Sequence, residues 1–542
     1  VSGVPREIEA LEDGGELWRF VCANRSDLRE GDVVLVSDGD PITGEAEQGV
    51  VERGTADELV VRVRGAPAGA PRLVDRYAVD SGWLRGLRTL WAWLRRPAHL
   101  RRLVDGSASP RFGPVEEITI AGANARQRHA VALALAARDY LLVQGPPGAG
   151  KTSAIAHMVR ALRERGRRVL LASFTNRAVD TMLTALAETD RRAAVRLGGE
   201  AATSDELRST LLPRRALAAG LHAPEEINDL LNGAGIVAAT VATLAGAGYD
   251  DQRFDVAIVD EASQLTVPAI LAALRLAGCF VLVGDDRQLP PVVQSAEAAA
   301  IEDGLATTLF TLLRRRAEEI GDGQAMVVLE EQYRMSAEIC AFPSAEWYDG
   351  RLRAGTPAVK RGRLALDLVA TPAHLRVVLD PERPVVFVDV TPDADPVPPA
   401  RDDIQERNGV QAHGAPHTNA AEARQVRDLC AALVAGGVPM REIGVIAPYR
   451  AQVALIRNTL REAGLGEIVA DTVDRFQGSE RAAMLLSLVG GTGGVSHLLR
   501  DERRLNVALT RARHKLILLG HAPDLRADPL YARLLDAVAS RQ

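Results

Sequence analysis

The sequence predicts an α/β protein with two tandem domains, each a parallel sheet covered by helices, preceded by a small β-barrel and a helical stalk. Three observations carry this. Short, mainly apolar runs at Tyr140–Gln144, Val169–Ser173, Val256–Val259 and Phe280–Val283 alternate with helix-forming segments. Apolar strands alternating with helices are what a parallel sheet buried on both faces requires. The rhythm restarts near Met326 and continues through Val385–Val388, Gly444–Ala447, Met484–Ser487 and Lys515–Leu518, which predicts a second sheet. Residues 1 to 112 differ in texture: strand-like stretches at Asp32–Val36, Gly49–Glu52 and Leu59–Val63 are separated by Gly- and Asp-rich turns.

The expected layout is therefore a β-barrel over 1–80, a stalk over 81–112, a first domain over 113–325 and a second over 326–542. The stalk's helical stretch Gly82–Val104 carries Trp83, Trp91 and Trp93 among six arginines, and packing of an amphipathic helix is a simpler account of them than a nucleic-acid platform. The stretch 188–235, rich in charge and helix formers, reads as an insertion without chemistry, and 391–418, dense in Pro and Asp, as a mobile surface loop.

The totals exclude several classes. A chain of 542 residues exceeds what one core usually supports, so several domains are expected. No run of eighteen apolar residues occurs and no secretory layout opens the chain, so no membrane or export role is expected. The four cysteines, Cys22, Cys279, Cys340 and Cys430, lie far apart without a CxxC pair, which argues against zinc, iron-sulfur and disulfide frameworks. A reducing, cytoplasmic setting fits, nucleoid-associated in a bacterium. The chain opens on Val1 rather than Met, so a processed or longer polypeptide is expected, with an upstream domain or partner outside it. The net charge of -6 does not exclude nucleic acid, because a groove needs only local positive potential. Nearly all cations are arginine; the lysines are Lys151, Lys360 and Lys515.

One of those lysines closes a phosphate loop. Gly145-Pro146-Pro147-Gly148-Ala149-Gly150-Lys151-Thr152, followed by Ser153, fits G-x-x-x-x-G-K-[ST] between a buried strand and a helix from about Lys151 to Arg165. Its glycines let backbone amides curl around phosphate oxygens. The helix N-terminus adds partial positive charge, Lys151 reaches the terminal phosphates and Thr152 can hold Mg²⁺. The buried strand Phe254–Val259 then ends in Asp260-Glu261, one carboxylate for the metal and one to orient or deprotonate the attacking water; Asp260 is read as the metal residue and Glu261 as the base.

A phosphate loop is shared by motors, kinases and switches, and the second domain separates them. Glu331–Met335 follows a strand and Asn506–Arg513 precedes one, so Arg334 and Arg511 can stand at the lip of a sheet facing the first domain. In order, Gln127, the phosphate loop, Ser173–Asp180, Asp260–Ser263, Gly284–Pro291, Gln332–Met335, Thr472–Glu480 and Asn506–Arg511 resemble the motif set of superfamily 1 helicases. Phe342–Leu352 and Ala447–Gln452 resemble its 5′-to-3′ branch, and Leu498–Gly520 resembles the helicase half of the Dna-two type of replication nuclease-helicase over a long stretch.

The resemblance implies two tandem RecA-like P-loop domains and an ATP- and Mg²⁺-dependent monomeric motor on single-stranded DNA. It implies that Gln127 reads the adenine and Tyr333 stacks on it. Gln288 would sense the γ-phosphate, Gly478 and Glu480 would border the nucleotide, and Arg334 and Arg511 would act as arginine fingers. Thr175, Asn176, Thr240, Arg450 and Thr472 would touch phosphates and sugars of the strand, which suits a motor that must accept any sequence. For hydroxyl and amide side chains the competing reading is helix capping. An RNA helicase of the same branch and an ATP-switched clamp without unwinding remain open alternatives.

Overall fold

The computed structural model describes residues 7–10, 16–21, 33–37, 46–54, 58–63, 73–76, 81–246, 248–291, 306–321, 323–369, 371–391, 418–489 and 499–540. The chain divides into two compact units, Val1–Leu87 and Arg88–Gln542.

The first unit holds six antiparallel strands: β1 (Glu7–Ala10), β2 (Glu16–Val21), β3 (Val33–Ser37), β4 (Ala46–Gly54), β5 (Glu58–Val63) and β6 (Leu73–Arg76), in the order β1-β2-β5-β4-β3-β6. Period-two patterning places Trp18, Phe20, Val34, Val36, Val51, Leu59, Val61, Val63 and Val74 in one core. At Gly49 an added Cβ would lie 2.5 Å from Val61 and 3.0 Å from the Arg62 carbonyl, so only glycine lets β4 approach β5. The three strands expected here are β3, β4 and β5. The barrel itself is a half-barrel, because among the described residues β1 and β6 pair with β2 and β3 and not with each other.

In the second unit the first sheet runs β13-β7-β12-β11-β8-β10-β9, all parallel. Its strands are β7 (Tyr140–Gln144), β8 (Val169–Ser173), β9 (Val195–Arg196), β10 (Ile236–Thr240), β11 (Phe254–Val259), β12 (Ala277–Gly284) and β13 (Met326–Val328). Alternate residues feed two cores: Leu170 and Ala172 pack on one face, Val169 and Leu171 on the other. The second sheet, β16 (Val385–Asp389), β17 (Ile443–Ile446), β18 (Val469–Asp471), β19 (Arg481–Ser487) and β20 (Ala512–Gly520), runs β16-β20-β19-β17-β18 and is also parallel throughout. Its faces divide likewise, with Met484 and Leu486 opposite Ala483 and Leu485.

Two sequence expectations are corrected. The strand at Met326 belongs to the first sheet, where β13 lies beside β7 and Leu142 N–H donates to the Ala325 carbonyl at 2.9 Å. A three-residue edge strand carries no pattern that says which of two parallel sheets will take it. The segment 188–235 is mostly helical, but β9 within it adds an edge to the first sheet, and Arg196 is fully buried with hydrogen bonds to Asp180 and Asn176. Between the sheets the chain forms a separate parallel pair, β14 (Glu331–Gln332) with β15 (Arg353–Ala354). Of the loop expected over 391–418, residues 392–417 lie outside the described residues.

The stalk helices pack as the simpler account required. Trp93, Leu100 and Leu103 enter the core of the first sheet, while Trp91 is exposed beneath the Arg95 guanidinium; the Trp83 side chain lies outside the described residues. His99 and Arg111 then clamp the buried carboxylate of Asp139 at the start of β7, at 2.7 and 2.9 Å. Burial would raise this carboxyl. The Arg111 and His99 side chains and the Arg111 backbone N–H outweigh it and hold the pKa at about 2. A depressed carboxylate stabilises the fold above its unfolded pKa and loses that contribution as pH falls toward the folded value. Asp139→Asn should therefore lower the unfolding midpoint at pH 7 by the equivalent of about 1–2 kcal/mol, less than the full shift because Arg111 is largely exposed. Urea titrations at pH 7 and pH 4 check it: the gap between the two proteins narrows below about pH 4, and a gap independent of pH would remove the charge argument.

Candidate active site and nucleic-acid interface

The phosphate loop follows β7 directly. Gly148 and Gly150 take left-handed backbone angles, φ +72° and +76°, which favour glycine. Close approach demands it as well: a Cβ on Gly148 would lie 2.7 Å from Cβ of Arg334, and one on Gly150 2.6 Å from Nε2 of Gln127. Pro146 and Ala149 close a turn through a 3.1 Å hydrogen bond, and Gly145 N–H donates to the Gly284 carbonyl at 2.9 Å, tying the loop to the end of β12. Helix Lys151–Glu164 begins at the loop with Lys151, Thr152 and Ser153 in its first turn, and buries Ala154, Ile155, Met158, Val159 and Leu162 beneath it. The Lys151 ammonium folds back to donate to the Gly145 carbonyl at 2.9 Å.

Asp260 and Glu261 leave the end of β11 beside this loop. Burial, then the neighbouring Glu261 charge, pushes the Asp260 carboxyl up to about 7, against the pull of Lys151. Glu261 sits at φ +54°, a conformation that costs a non-glycine residue about 1–3 kcal/mol and tends to mark functional sites. The Gln264 amide donates to its carboxylate at 2.7 Å. Among the described residues neither acid makes an ion pair. A buried carboxylate at Asp260 with a second, half-buried one beside it at Glu261, at the strand end that follows the phosphate loop in the same sheet, suits a hard divalent cation.

The second domain completes the cleft. Gln332, wholly buried, accepts from the backbone N–H groups of Arg334 and Met335 at 2.8 and 2.7 Å and so shapes the turn that carries Tyr333 and Arg334. Tyr333 N–H donates to the Gly148 carbonyl at 2.9 Å, so this turn is seated on the phosphate loop itself. Arg334 pairs with Glu480 and donates to the Thr510 carbonyl at 3.1 Å. Arg511 is buried, donates to the Val507 carbonyl at 2.9 Å and to the side-chain amide oxygen Oε1 of Gln288 at 3.3 Å. Burial, and next the charge of Arg334, pulls the Arg511 guanidinium down to about 9, with Glu261 opposing. Two guanidiniums held this close and dry suit a polyanion between them. Gly478, at φ +75°, opens the turn that leads to Glu480.

Gln127 and Tyr333 flank the entrance to the loop. Gln127 is buried in a capping box with Asn124, and its amide also donates to the Gly150 carbonyl at 3.4 Å. Tyr333 is 41 % exposed; its hydroxyl accepts from the Asn124 amide at 2.9 Å and donates to Glu331 at 3.2 Å.

The residues expected on the nucleic-acid path gather at the carboxyl ends of the two sheets. Thr175 and Asn176 follow β8, and Thr240 ends β10, in register with Ser173 of β8. Arg450 opens the helix after β17, and Thr472 follows β18, the neighbour of β17. The capping alternative holds for several side chains: Thr175 and Thr240 each accept the N–H three residues on, at 3.2 and 3.1 Å, and Asn176 accepts from Arg196 at 2.8 Å. Arg450 is exposed, and Thr472 stands at a helix N-terminus without a side-chain cap bond.

Two AAA domain models match residues 122–337 and 305–523. The chain is 36% identical over 436 residues to the DNA replication ATP-dependent helicase/nuclease DNA2 of Mus musculus, covering 78% of this chain and 39% of that protein. It is 37% identical over 420 residues to the helicase/nuclease JHS1 of Arabidopsis thaliana, covering 77% and 30%. The chain is homologous, over most of its own length, to these DNA replication helicase/nucleases. It spans less than half the length of these two curated relatives. Among solved structures, arterivirus nonstructural protein 10 (helicase) in complex with DNA aligns at 16% identity and a TM-score of 0.42, over 95% of this chain and 78% of that one.

One exposed residue beside the expected nucleic-acid path was not singled out in the sequence. Phe174, between the end of β8 and the capping Thr175, is 52 % exposed although it extends an apolar strand. The available signal was its place: an aromatic directly after a fully buried strand and directly before an N-cap has left the sheet and is free to face solvent.

Proposed function

We propose that this chain is an ATP-driven motor that moves 5′ to 3′ along single-stranded DNA and separates duplex ahead of it, in replication or repair. The observation that carries the reading is the seating of the Tyr333–Arg334 turn on the phosphate loop, with Tyr333 N–H on the Gly148 carbonyl at 2.9 Å. It brings arginines of one domain to the phosphate site of the other. The AAA-domain matches and the similarity to proteins named helicase/nucleases support the same reading.

ATP would lie with its phosphates over Gly145–Thr152 and its base between Gln127 and Tyr333. Lys151 would exchange the Gly145 carbonyl for the terminal phosphate oxygens. Thr152 and Asp260 would hold Mg²⁺, which would offset charge on the phosphate oxygens. Glu261 takes the proton of the attacking water, and Arg334 and Arg511 stabilise charge on the transferring phosphoryl only while the domains are closed. Alternating closure and release becomes a step if the two domains grip the strand differently in the two states.

Phe174 would stack a base while Thr175, Asn176, Thr240, Arg450 and Thr472 line the backbone path. Because stacking is worth about 1–3 kcal/mol per base, Phe174→Ala should weaken single-strand affinity at least about fivefold while leaving ATP affinity unchanged. Fluorescence anisotropy with a labelled oligonucleotide checks it, and unchanged affinity would remove Phe174 from the path.

Hydrolysis measured alone and with single-stranded DNA or RNA of matched length, at fixed salt, tests the function. Stimulation by DNA and not RNA supports it, and unwinding of substrates with 5′ or 3′ overhangs then tests the polarity. Equal stimulation moves the reading to a motor open to RNA, and stimulation by neither favours the clamp.

A further inference from the structure

The hydrogen bonds between the two domains do not stop at the nucleotide. Asp285, buried after β12, accepts from the Gln288 amide at 2.7 Å and from the Tyr348 hydroxyl at 2.8 Å on the same oxygen. Tyr348 follows helix Ala337–Trp347 and packs in the core of the second domain with Met335 and Ile339. Its hydroxyl accepts in turn from the Asn506 amide at 2.8 Å, and the other N–H of that amide reaches back across the cleft to the Arg287 carbonyl at 2.8 Å. Asn506 shares helix Glu502–Leu509 with the approach to Arg511, which contacts Gln288. The bonds form a closed circuit: Arg511 to Gln288, Gln288 to Asp285, Asp285 to Tyr348, Tyr348 to Asn506, and Asn506 back to the loop. Leu289, next in that loop, is buried in the second domain's core cluster, so the loop after β12 is plugged into the opposite domain.

We propose that the Tyr348 hydroxyl is a positioning group that couples domain closure to the γ-phosphate sensor, setting Gln288 through Asp285. This rests on the motor reading above. A hydroxyl can accept from Asn506 and donate to Asp285 at a single atom, and a buried carboxylate needs such donors to stay where it is. With the circuit closed, Gln288 has its amide nitrogen held by Asp285 and its oxygen turned toward Arg511. When the domains part, Tyr348, Asn506 and Arg511 leave with the second domain, so Asp285 loses the donor that orients it and Gln288 loses Arg511.

Tyr348→Phe removes only the oxygen and keeps the ring in its core. Because a hydrogen bond to a buried carboxylate is worth about 1.5–3 kcal/mol, we expect nucleic-acid-stimulated kcat to fall about tenfold or more, with the KM for ATP within about twofold and basal turnover falling by a smaller factor. A second readout needs no nucleic acid: dye pairs on Glu164→Cys and Glu462→Cys, at exposed positions of the two domains, report closure by energy transfer with a non-hydrolysable ATP analogue. The Phe variant should close at higher analogue concentration or to a smaller extent. An unchanged closure curve overturns the proposal, as does a fall of basal and stimulated turnover in equal proportion with a lowered melting temperature, which marks a packing role. A wild-type chain that closes normally but is not stimulated by DNA or RNA instead overturns the motor reading, and the closure comparison still decides the role of Tyr348.

Discussion

Glu261→Gln is expected to bind ATP as tightly as the parent chain while turning it over about 10²–10⁴-fold more slowly, the range in which a positioned general base acts. The amide has the shape of the carboxylate and can still accept from Gln264, so the left-handed backbone at φ +54° and the neighbouring loop keep their supports. What is lost is the negative charge that holds and deprotonates water. Removing that charge also relieves the repulsion that helps raise the Asp260 carboxyl, so the metal residue should ionise more readily and nucleotide affinity should hold or improve. Equilibrium binding of a fluorescent ATP analogue beside steady-state phosphate release separates the two quantities. Normal turnover would place the base elsewhere; parallel loss of binding and turnover would make Glu261 a structural support of the loop.

Arg334→Ala is expected to lower nucleic-acid-stimulated turnover about 10³-fold or more, because an arginine finger acts on charge that appears only as the phosphoryl transfers. ATP affinity should change little. The ground-state site is built chiefly by the first domain, and in the structure Arg334 is held by Glu480 and the Thr510 carbonyl, contacts within the second domain. Arg334→Lys keeps the charge without the planar fork and should recover only part of the rate. The comparison of kcat with the dissociation constant for ATP decides it: a loss shared equally between them would mean that Arg334 serves to seat its turn on Gly148 rather than to stabilise the transition state.

Much of this was written in local sequence. The phosphate loop is legible because its chemistry is local: glycines at left-handed positions, a lysine and a hydroxyl at a helix start need no distant partner to be recognised. The buried strands at Tyr140, Val169, Val256 and Phe280 are legible because burial on both faces demands unbroken apolar runs. Even the order of the motif blocks, and with it the pair of parallel sheets, lies along the chain. The edges were less visible. Strands β1, β2 and β6 are short or mixed in pattern, β9 is two residues inside a polar stretch, and β13 is three residues whose sheet is chosen by the space beside β7.

What folding added is contact between residues far apart in sequence. That Arg334 lies against Gly148, that Arg511 reaches Gln288, and that Arg196 is buried beneath Asn176 depend on how two sheets and an inserted helical segment close on one another. The same holds for the Asp285–Tyr348–Asn506 circuit, whose members are 63 and 158 residues apart in their successive bonds. No periodicity records such pairings, because a hydrogen bond between two domains is paid for by the packing that brings them together and leaves no pattern in either segment alone.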